Sequence, residues 1–520
     1  MRMLAEVVAG HAASQPHATA FVGDEPPGRL TWREYDERSS SLAQSLVELG
    51  VESGDRVAVL LPDGAAVHIC YLGIEKAGAV IVGIGPRGGD REIEHLLTKS
   101  GATLLLAGAH RAALADRLGI AHRIVGDEEL RHAVAPTAGA AIEGRGVGPD
   151  ELWLLNSTSG TTGMPKCVMH HQARWFAFHE LAVGAGALRP HDVFMSVVPA
   201  PFGFGIWTAH VTPTLLGAPC VLMSRFDADA CLERIERERV SVLAAVSTQL
   251  VMLVNAPSYA SRDLSGLRVV FTGGEMVPYA TVAELEDRTG CAVLQFYGSN
   301  ETGALSRTTL TDDRERRLRT AGRIIPHMKV RLLDEREVGG EGGTSVRDVT
   351  ATGGPGLAVC RGPLTCLGYY DDPEANVALM TADGWMRTGD VCTLDPDGYL
   401  TVVGRASDFI IRGGKNISAA QVEEEVATHP AIALAAAVGM PDPVFGERVC
   451  VFVERSTDVG ADAPALTLED VCAHLASRGV GKELWPERLE VVASIPRASG
   501  GKIAKGELRS IAAGPSELDD

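Results

Sequence analysis

Seven small or hydroxylated residues stand in a row from Ser157 to Gly163, and Met-Pro-Lys166 follows them. The row comes directly after Leu152, Trp153, Leu154 and Leu155, which read as a buried strand. A phosphate chain needs close backbone N–H groups, hydroxyl donors and one positive charge. Gly160 and Gly163 permit the approach because they carry no Cβ. Thr158, Ser159, Thr161 and Thr162 supply hydroxyls, and Lys166 supplies the charge. A flexible linker of the same composition has no reason to follow a buried strand and end in Pro-Lys. The loop is not of the Walker type, because Met-Pro separates Gly163 from Lys166 and no Ser or Thr follows the lysine. Its expected ligand is the phosphate chain of a nucleotide.

Other chemistry-bearing residues cluster at strand ends. Val242 to Val246 ends in Ser247-Thr248-Gln249, and Val269 to Phe271 ends in Thr272-Gly273-Gly274-Glu275. Ala292 to Phe296 ends in Tyr297-Gly298-Ser-Asn-Glu301-Thr302-Gly303. In open α/β sheets ligands sit beyond the carboxyl ends of the strands. Glu301 there is a candidate Mg²⁺ ligand, since Mg²⁺ takes one or two carboxylates plus phosphate oxygens and waters; in isolation it would read as a surface carboxylate. Asp390 lies in a glycine-bounded turn and could accept a ribose diol, although by itself it reads rather as an ordinary turn aspartate. Lys502 sits in a glycine-rich turn and by itself reads as a solvated charge. Pro199 to Trp207 is apolar, aromatic and punctuated by glycine, which suits either core or the wall of an organic-acid pocket.

These residues must be carried by a large scaffold. At 520 residues the chain exceeds one hydrophobic core, so two or more domains are expected. A net charge of −19 argues against nucleic acid or an anionic membrane as partner. No stretch is long and apolar enough to span a bilayer, and a cytoplasmic protein is expected. Ten scattered cysteines contain no Cys-x-x-Cys pair, so neither a disulfide framework nor a cysteine metal site is expected. His170-His171 lacks a third ligand at recognisable spacing and reads as structural or solvent-facing.

From Leu30 to His110 strand and helix alternate, which predicts a largely parallel sheet covered by helices. Thr31 to Glu34 has capping-box spacing, Val57 to Leu61 is a strand, and Val67, Cys70 and Ile74 mark a helix face. Gly83-Ile-Gly85-Pro-Arg-Gly88 formally matches a dinucleotide fingerprint, but the helix after it starts near Asp90 and no ribose acid follows the next strand. Val134 to Pro149 reads as an exposed connection. Gly404 to Asp408 interrupts the pattern and suggests a boundary. Beyond it, Ser418 to Gln421 is a second capping box, and further strands and a helix make a small α+β domain. The tail from Gly514 to Asp520 is expected to be disordered.

Five segments in order, STSGTTGMPK, YGSNETG, GWMRTGD, GRASDFIIRGGKNI and PRASGGKI, closely resemble the acyl-adenylate-forming superfamily. That superfamily includes acyl- and aryl-CoA ligases, luciferase and peptide-synthetase adenylation domains, and the likeness runs from about residue 10 to 510. The resemblance implies an α/β fold, with a large N-terminal domain of mixed sheets wrapped by helices over residues 1–404. A hinge at 405–408 and a mobile α+β domain at 409–520 complete it. Thr158 to Gly163 and Lys166 match the phosphate loop; Gly273, Gly274, Glu275, Tyr297 and Gly298 match the adenine walls, with Thr302 beside them. Asp390 and Arg405 match the ribose contacts, Glu301 the Mg²⁺ carboxylate, and Lys502 the lysine that bridges carboxylate and α-phosphate, with Thr161 assisting. Phe202, Phe204, Gly205, Ser247, Thr248, Gly273 and Phe296 are the expected acyl pocket. Arg412, Gly413, Gly414 and Lys415 match a loop lining the pantetheine tunnel after the small domain rotates.

The implied activity is ATP-dependent conversion of a carboxylic acid to an acyl-AMP, followed by transfer to coenzyme A, in a monomer or homodimer. No charge stands near Phe202, which disfavours an α-amino acid and favours an aromatic, alicyclic or modest-length aliphatic one. Transfer to a carrier-protein phosphopantetheine is the alternative, and nucleotide binding without turnover is a third. The chain departs from the family pattern at Ser157, usually aromatic, at Cys167, usually glycine, and at Ser407, commonly Asp or Lys. Serine at the hinge is expected to soften the preference between two domain orientations.

Overall fold

The computed structural model describes residues 2–24, 28–86, 88–120, 122–125, 132–135, 145–157, 164–274, 277–338, 343–412, 415–456, 464–497 and 502–514. Among these residues four sheets form. In the first, Arg56–Leu60, Val80–Gly83, Leu104–Ala107 and Leu152–Ser157 run parallel. Their near-continuous apolar sequences suit strands covered on both faces. Cys167–His171 returns antiparallel beside Leu152–Ser157 and pairs Ser157 with Cys167. The two departures at 157 and 167 therefore face each other across one rung.

The second sheet has a parallel centre made of Cys220–Leu222, Phe194–Ser196, Val242–Ala244, Val269–Gly273 and Ala292–Ser299. Gly303–Arg307 and Arg323–Ile324 extend it antiparallel at one edge. A third, antiparallel sheet joins Gly343–Asp348, Lys329–Val338, Gly356–Arg361, Met386–Leu394 and Leu400–Arg405. The fourth starts at Phe409–Arg412 and includes Ile432–Asp442 and Gly446–Arg455, with the helices Ala419–Val426 and Lys505–Ala512 on it. The mixed α/β architecture with a smaller α+β part agrees with the alternation in the sequence.

Local rules account for several boundaries. The Thr31 hydroxyl accepts from the Glu34 N–H at 3.2 Å, and the Glu34 carboxylate accepts from the Thr31 N–H at 2.8 Å, closing the expected capping box of Trp32–Glu48. At Ser418 only half of the expected box forms: its hydroxyl accepts from the Gln421 N–H at 3.3 Å, and no reciprocal bond is made. Gly83 ends the strand Val80–Gly83, and Gly85 and Gly88 lie between it and the helix Asp90–Ser100, so none of the three opens that helix. Three expectations need correction. Asp390 lies within the strand Met386–Leu394, where a bulge between Val391 and Cys392 adjusts the register, and not in a turn. Arg405 ends the strand Leu400–Arg405, so the pattern breaks two residues later than the sequence suggests. Val134 and Val147 are buried in the core, so those parts of the connection are covered.

The stretch Pro199 to Trp207 leads into a π-helix over Ile206–Val211, all of it buried. The wide turn seats the Trp207 ring 4.7 Å from Phe296 and 5.8 Å from Phe178 between centroids. Single π-turns of this kind are frequent at functional sites. The ten cysteines are free thiols. Among the described residues no helix is long and apolar enough to cross a membrane.

Candidate active site

The carboxyl ends of the second sheet, Met164 with Lys166, and the turn at Lys502 line a cavity of about 460 Å³. One end is aromatic: Trp175, Phe178, Phe202, Phe204, Trp207 and Phe296 line it. Phe204 and Trp207 stack with centroids 5.5 Å apart, and Trp207 packs on Phe296. The other end is polar, with Lys166, Tyr297, Glu301, Tyr369, Arg405 and Lys502 around it.

Glu301 is held on both carboxylate oxygens. The Tyr369 hydroxyl donates to Oε1 and the Ser299 hydroxyl to Oε2, each at 2.8 Å. Burial, then Glu301 itself, pushes the Tyr369 phenol up, so it stays a donor. Lys166 stands over the same tyrosine ring, 4.8 Å from its centroid. A carboxylate fixed in this way keeps lone pairs for a cation, and hydroxyls behind a ligand are what orient it. Among the described residues no three His, Cys, Asp or Glu side chains gather as a metal cage. The arrangement fits a hard cation that draws most ligands from phosphate oxygens and water, as Mg²⁺ does.

Asp390 is buried just behind the cavity wall. Tyr297 donates to its Oδ2 at 2.7 Å, and Arg405 Nε lies 3.2 Å from its Oδ1. Burial raises the Asp390 carboxyl, while the Arg405 charge acts against that. Gly273 packs so closely on the Phe296 carbonyl that a Cβ has no room. Gly274 adopts φ +84°, and a Cβ there would stand 3.3 Å from both Cε and Nζ of Lys502. The lysine thus lies against the glycine wall.

Several expected residues sit elsewhere. Gly205, Ser247, Thr248 and Thr302 do not line the cavity. Gly205 has no space for a Cβ against Pro199 O, and Ser247 and Thr248 are buried in the first turn of Ser247–Val254. Thr302 accepts from the Ser299 N–H at 2.9 Å, stapling the loop that carries Glu301. Arg412 pairs with Glu487, and Lys415 lies 3.6 Å from Glu483, both away from the cavity. Thr158, Ser159, Gly160, Thr161, Thr162, Gly163, Glu275, Gly413 and Gly414 lie outside the described residues. Tyr369, Trp175, Phe178 and Arg174 line the cavity without having been expected. His170, expected to be structural, is buried and bonded to Asn156 and Arg174.

The pattern described as AMP-binding enzyme matches residues 8–370, and that described as AMP-binding enzyme C-terminal domain matches residues 421–502. The chain belongs to the AMP-binding enzyme family. It is 32% identical to the medium-chain fatty-acid–CoA ligase of Escherichia coli K12, over 96% of this chain and 88% of that one. It is 33% identical to a feruloyl-CoA synthase of an Amycolatopsis species, over 96% of both. The ATP-bound structure of MatB from Rhodopseudomonas palustris matches with a TM-score of 0.84 at 26% identity, covering 98% of this chain and 99% of that one.

Proposed function

We propose that this chain is an AMP-forming acid–CoA ligase that uses ATP to activate an aromatic, alicyclic or short to medium aliphatic acid. The observation that carries the reading is the single cavity that joins an aromatic chamber to Lys166, Glu301 and Lys502. A carboxylate is already a nucleophile, so its attack on the α-phosphate needs no general base. The barrier is the approach of two anions and the spread of negative charge as the new O–P bond forms and pyrophosphate leaves. Lys502 neutralises that charge at the reacting carboxyl, and Lys166 does so along the phosphates. Asp390 and Arg405 hold the ribose, and Tyr297 with Gly273 and Gly274 walls the base. Glu301, set by Tyr369 and Ser299, holds Mg²⁺, which when bound screens the phosphate charge.

Thioester formation follows when a thiolate attacks the acyl carbon and AMP leaves. Lys502 occupies the space in which that thiol must work, so the part beyond residue 408 turns about 405–408 between the two steps. The distance of Arg412 and Lys415 from the cavity supports this reading, since a tunnel role would require the turned arrangement. Release of AMP from a panel of carboxylic acids, with and without CoA, tests the proposal. Release that depends on one acid and accelerates with CoA is expected. Release only with a phosphopantetheinyl carrier protein would move the acceptor, and no release with any acid would sink the assignment.

A further inference from the structure

Among the described residues four cations line the cavity, Lys166, Arg174, Arg405 and Lys502; Arg174 has no role in the scheme above, and it is almost wholly buried, with 1% of its surface exposed. Its Nη1 donates to His170 Nδ1 at 2.6 Å and to the Asn300 carbonyl at 3.0 Å. Its Nε has no partner, and among the described residues no carboxylate forms an ion pair with it. Glu301 supplies attraction from farther off.

The acceptors on Arg174 are fixed and neutral. Because Nδ1 of His170 accepts from the arginine, the ring proton sits on Nε2 and goes to Asn156 Oδ1 at 2.7 Å. Asn156 Nδ2 then donates to Asn300 Oδ1 at 3.2 Å, and Asn300 Nδ2 to the Ser157 carbonyl at 3.3 Å. Burial, reinforced by Arg174, holds His170 well below the ordinary histidine range, so it cannot share the positive charge. Burial pulls the guanidinium down to about 10, which leaves it cationic at neutral pH. A buried cation whose protein partners are all neutral is costly unless an anion or strong acceptor joins it. Four side chains in series thus hold this cation in the cavity wall, beside the Trp175 ring.

We propose that Arg174 is a specificity-determining residue that binds an oxygen acceptor carried by the substrate acid in addition to the carboxyl that is activated. This rests on the ligase reading and narrows its substrate class to ring-bearing acids with a phenolic, carbonyl or second carboxylate oxygen. Arg174 Cζ lies 5.3 Å from the Trp175 ring centroid, so the fork is flanked by an aromatic plane against which a flat substrate would pack. Planar paired donors suit such oxygens, and lysine would reproduce the charge without the fork.

The test compares benzoic acid with its hydroxy-, acetyl- and carboxy-substituted counterparts at each ring position. Wild-type protein should prefer at least one oxygen-bearing acid over benzoate by about tenfold or more in kcat/KM. Arg174→Met should lose about tenfold more on that acid than on benzoate, chiefly through KM, with Arg174→Lys between the two. Equal losses on all acids would overturn the proposal and leave Arg174 a support for the loop bearing Glu301. So would a wild-type preference for benzoate, a readout that needs no variant to fold. Calorimetric binding of the same acids separates the two readings. Arginine-dependent binding without turnover would refute the ligase and keep the contact, whereas turnover without discrimination would do the reverse.

Discussion

Gly274→Ala tests the placement of Lys502 through a change that removes no charge. Two consequences follow from the geometry. At φ +84° an alanine occupies the left-handed region, which costs about 1–2 kcal/mol. The new Cβ would lie 3.3 Å from Lys502 Cε and Nζ, where carbon atoms prefer about 3.5–4.0 Å. The lysine tip is flexible, so it yields by about 0.5 Å and the fold bears only the backbone strain. A misplacement of about 1 Å in a reacting group can cost about 100-fold, so half of it predicts about tenfold. ATP–pyrophosphate exchange should therefore slow about tenfold, with thioester formation from a supplied acyl-adenylate affected several-fold less. Thermal unfolding should begin a few degrees lower. The decisive comparison places the substitution in a Lys502→Ala background, where it should cause almost no further loss of exchange. Additive losses would show that Gly274 acts on the nucleotide or the acid and not through the lysine. Equal slowing of both half-reactions would refute the reasoning as well.

The remaining predictions concern other contacts. Lys502→Ala should reduce pyrophosphate exchange by about 100- to 1,000-fold and spare thioester formation from a supplied acyl-adenylate; equal loss in both would remove the lysine from the first step. Tyr369→Phe deletes the 2.8 Å hydrogen bond to Glu301 and should raise the Mg²⁺ concentration for half-maximal exchange by about tenfold or more, whereas an unchanged Mg²⁺ titration would separate Glu301 from the metal. His210 is buried with its Nδ1 3.1 Å from that of His68, and burial depresses it to about 3. The unfolded chain takes up that proton below about 6.5 and the folded one does not, so stability is full above that pH and falls as pH drops toward 3. His210→Gln should reduce the loss of stability between pH 6.5 and 5.5 by about 1 kcal/mol, read from denaturant melts; an unchanged slope would mean that the histidine is hydrated.

Local chemistry was the readable part of the chain. The Thr31 box needs only Thr31 and Glu34, so it could be recognised without tertiary knowledge. Glu301 could be singled out as a carboxylate at a strand end, but its partner Tyr369 lies far along the chain and meets it only after sheets have packed. Arg174 gave no signal, because an arginine near the start of a helix ordinarily faces water; it is buried because Gln172–Gly186 packs inward, with its Phe178 ring 5.8 Å from that of Trp207. Asp390 was misread for the opposite reason. Glycines around it suggest a turn, yet the pairing with Leu400–Arg405 keeps it in a strand and delivers Arg405 directly opposite. Ser247 and Thr248 stay out of the cavity because Val246, one position earlier, takes the lining place before the helix begins.

The last helix bears on how the enzyme would keep time. Arg509 donates to the Ser407 carbonyl at 2.9 Å and to Asp408 Oδ1 at 2.7 Å, while Lys502 lies just before that helix and reaches the glycine wall. One short stretch of chain thus grips the axle and also carries the bolt. Ser407 gives Arg509 its carbonyl and donates its hydroxyl to Asp408 Oδ1 at 3.3 Å, so the grip is made by main chain and by Asp408. If the part beyond residue 408 turns as proposed, withdrawing the bolt and freeing the axle would be a single event, and the second stroke would wait for the first to disengage.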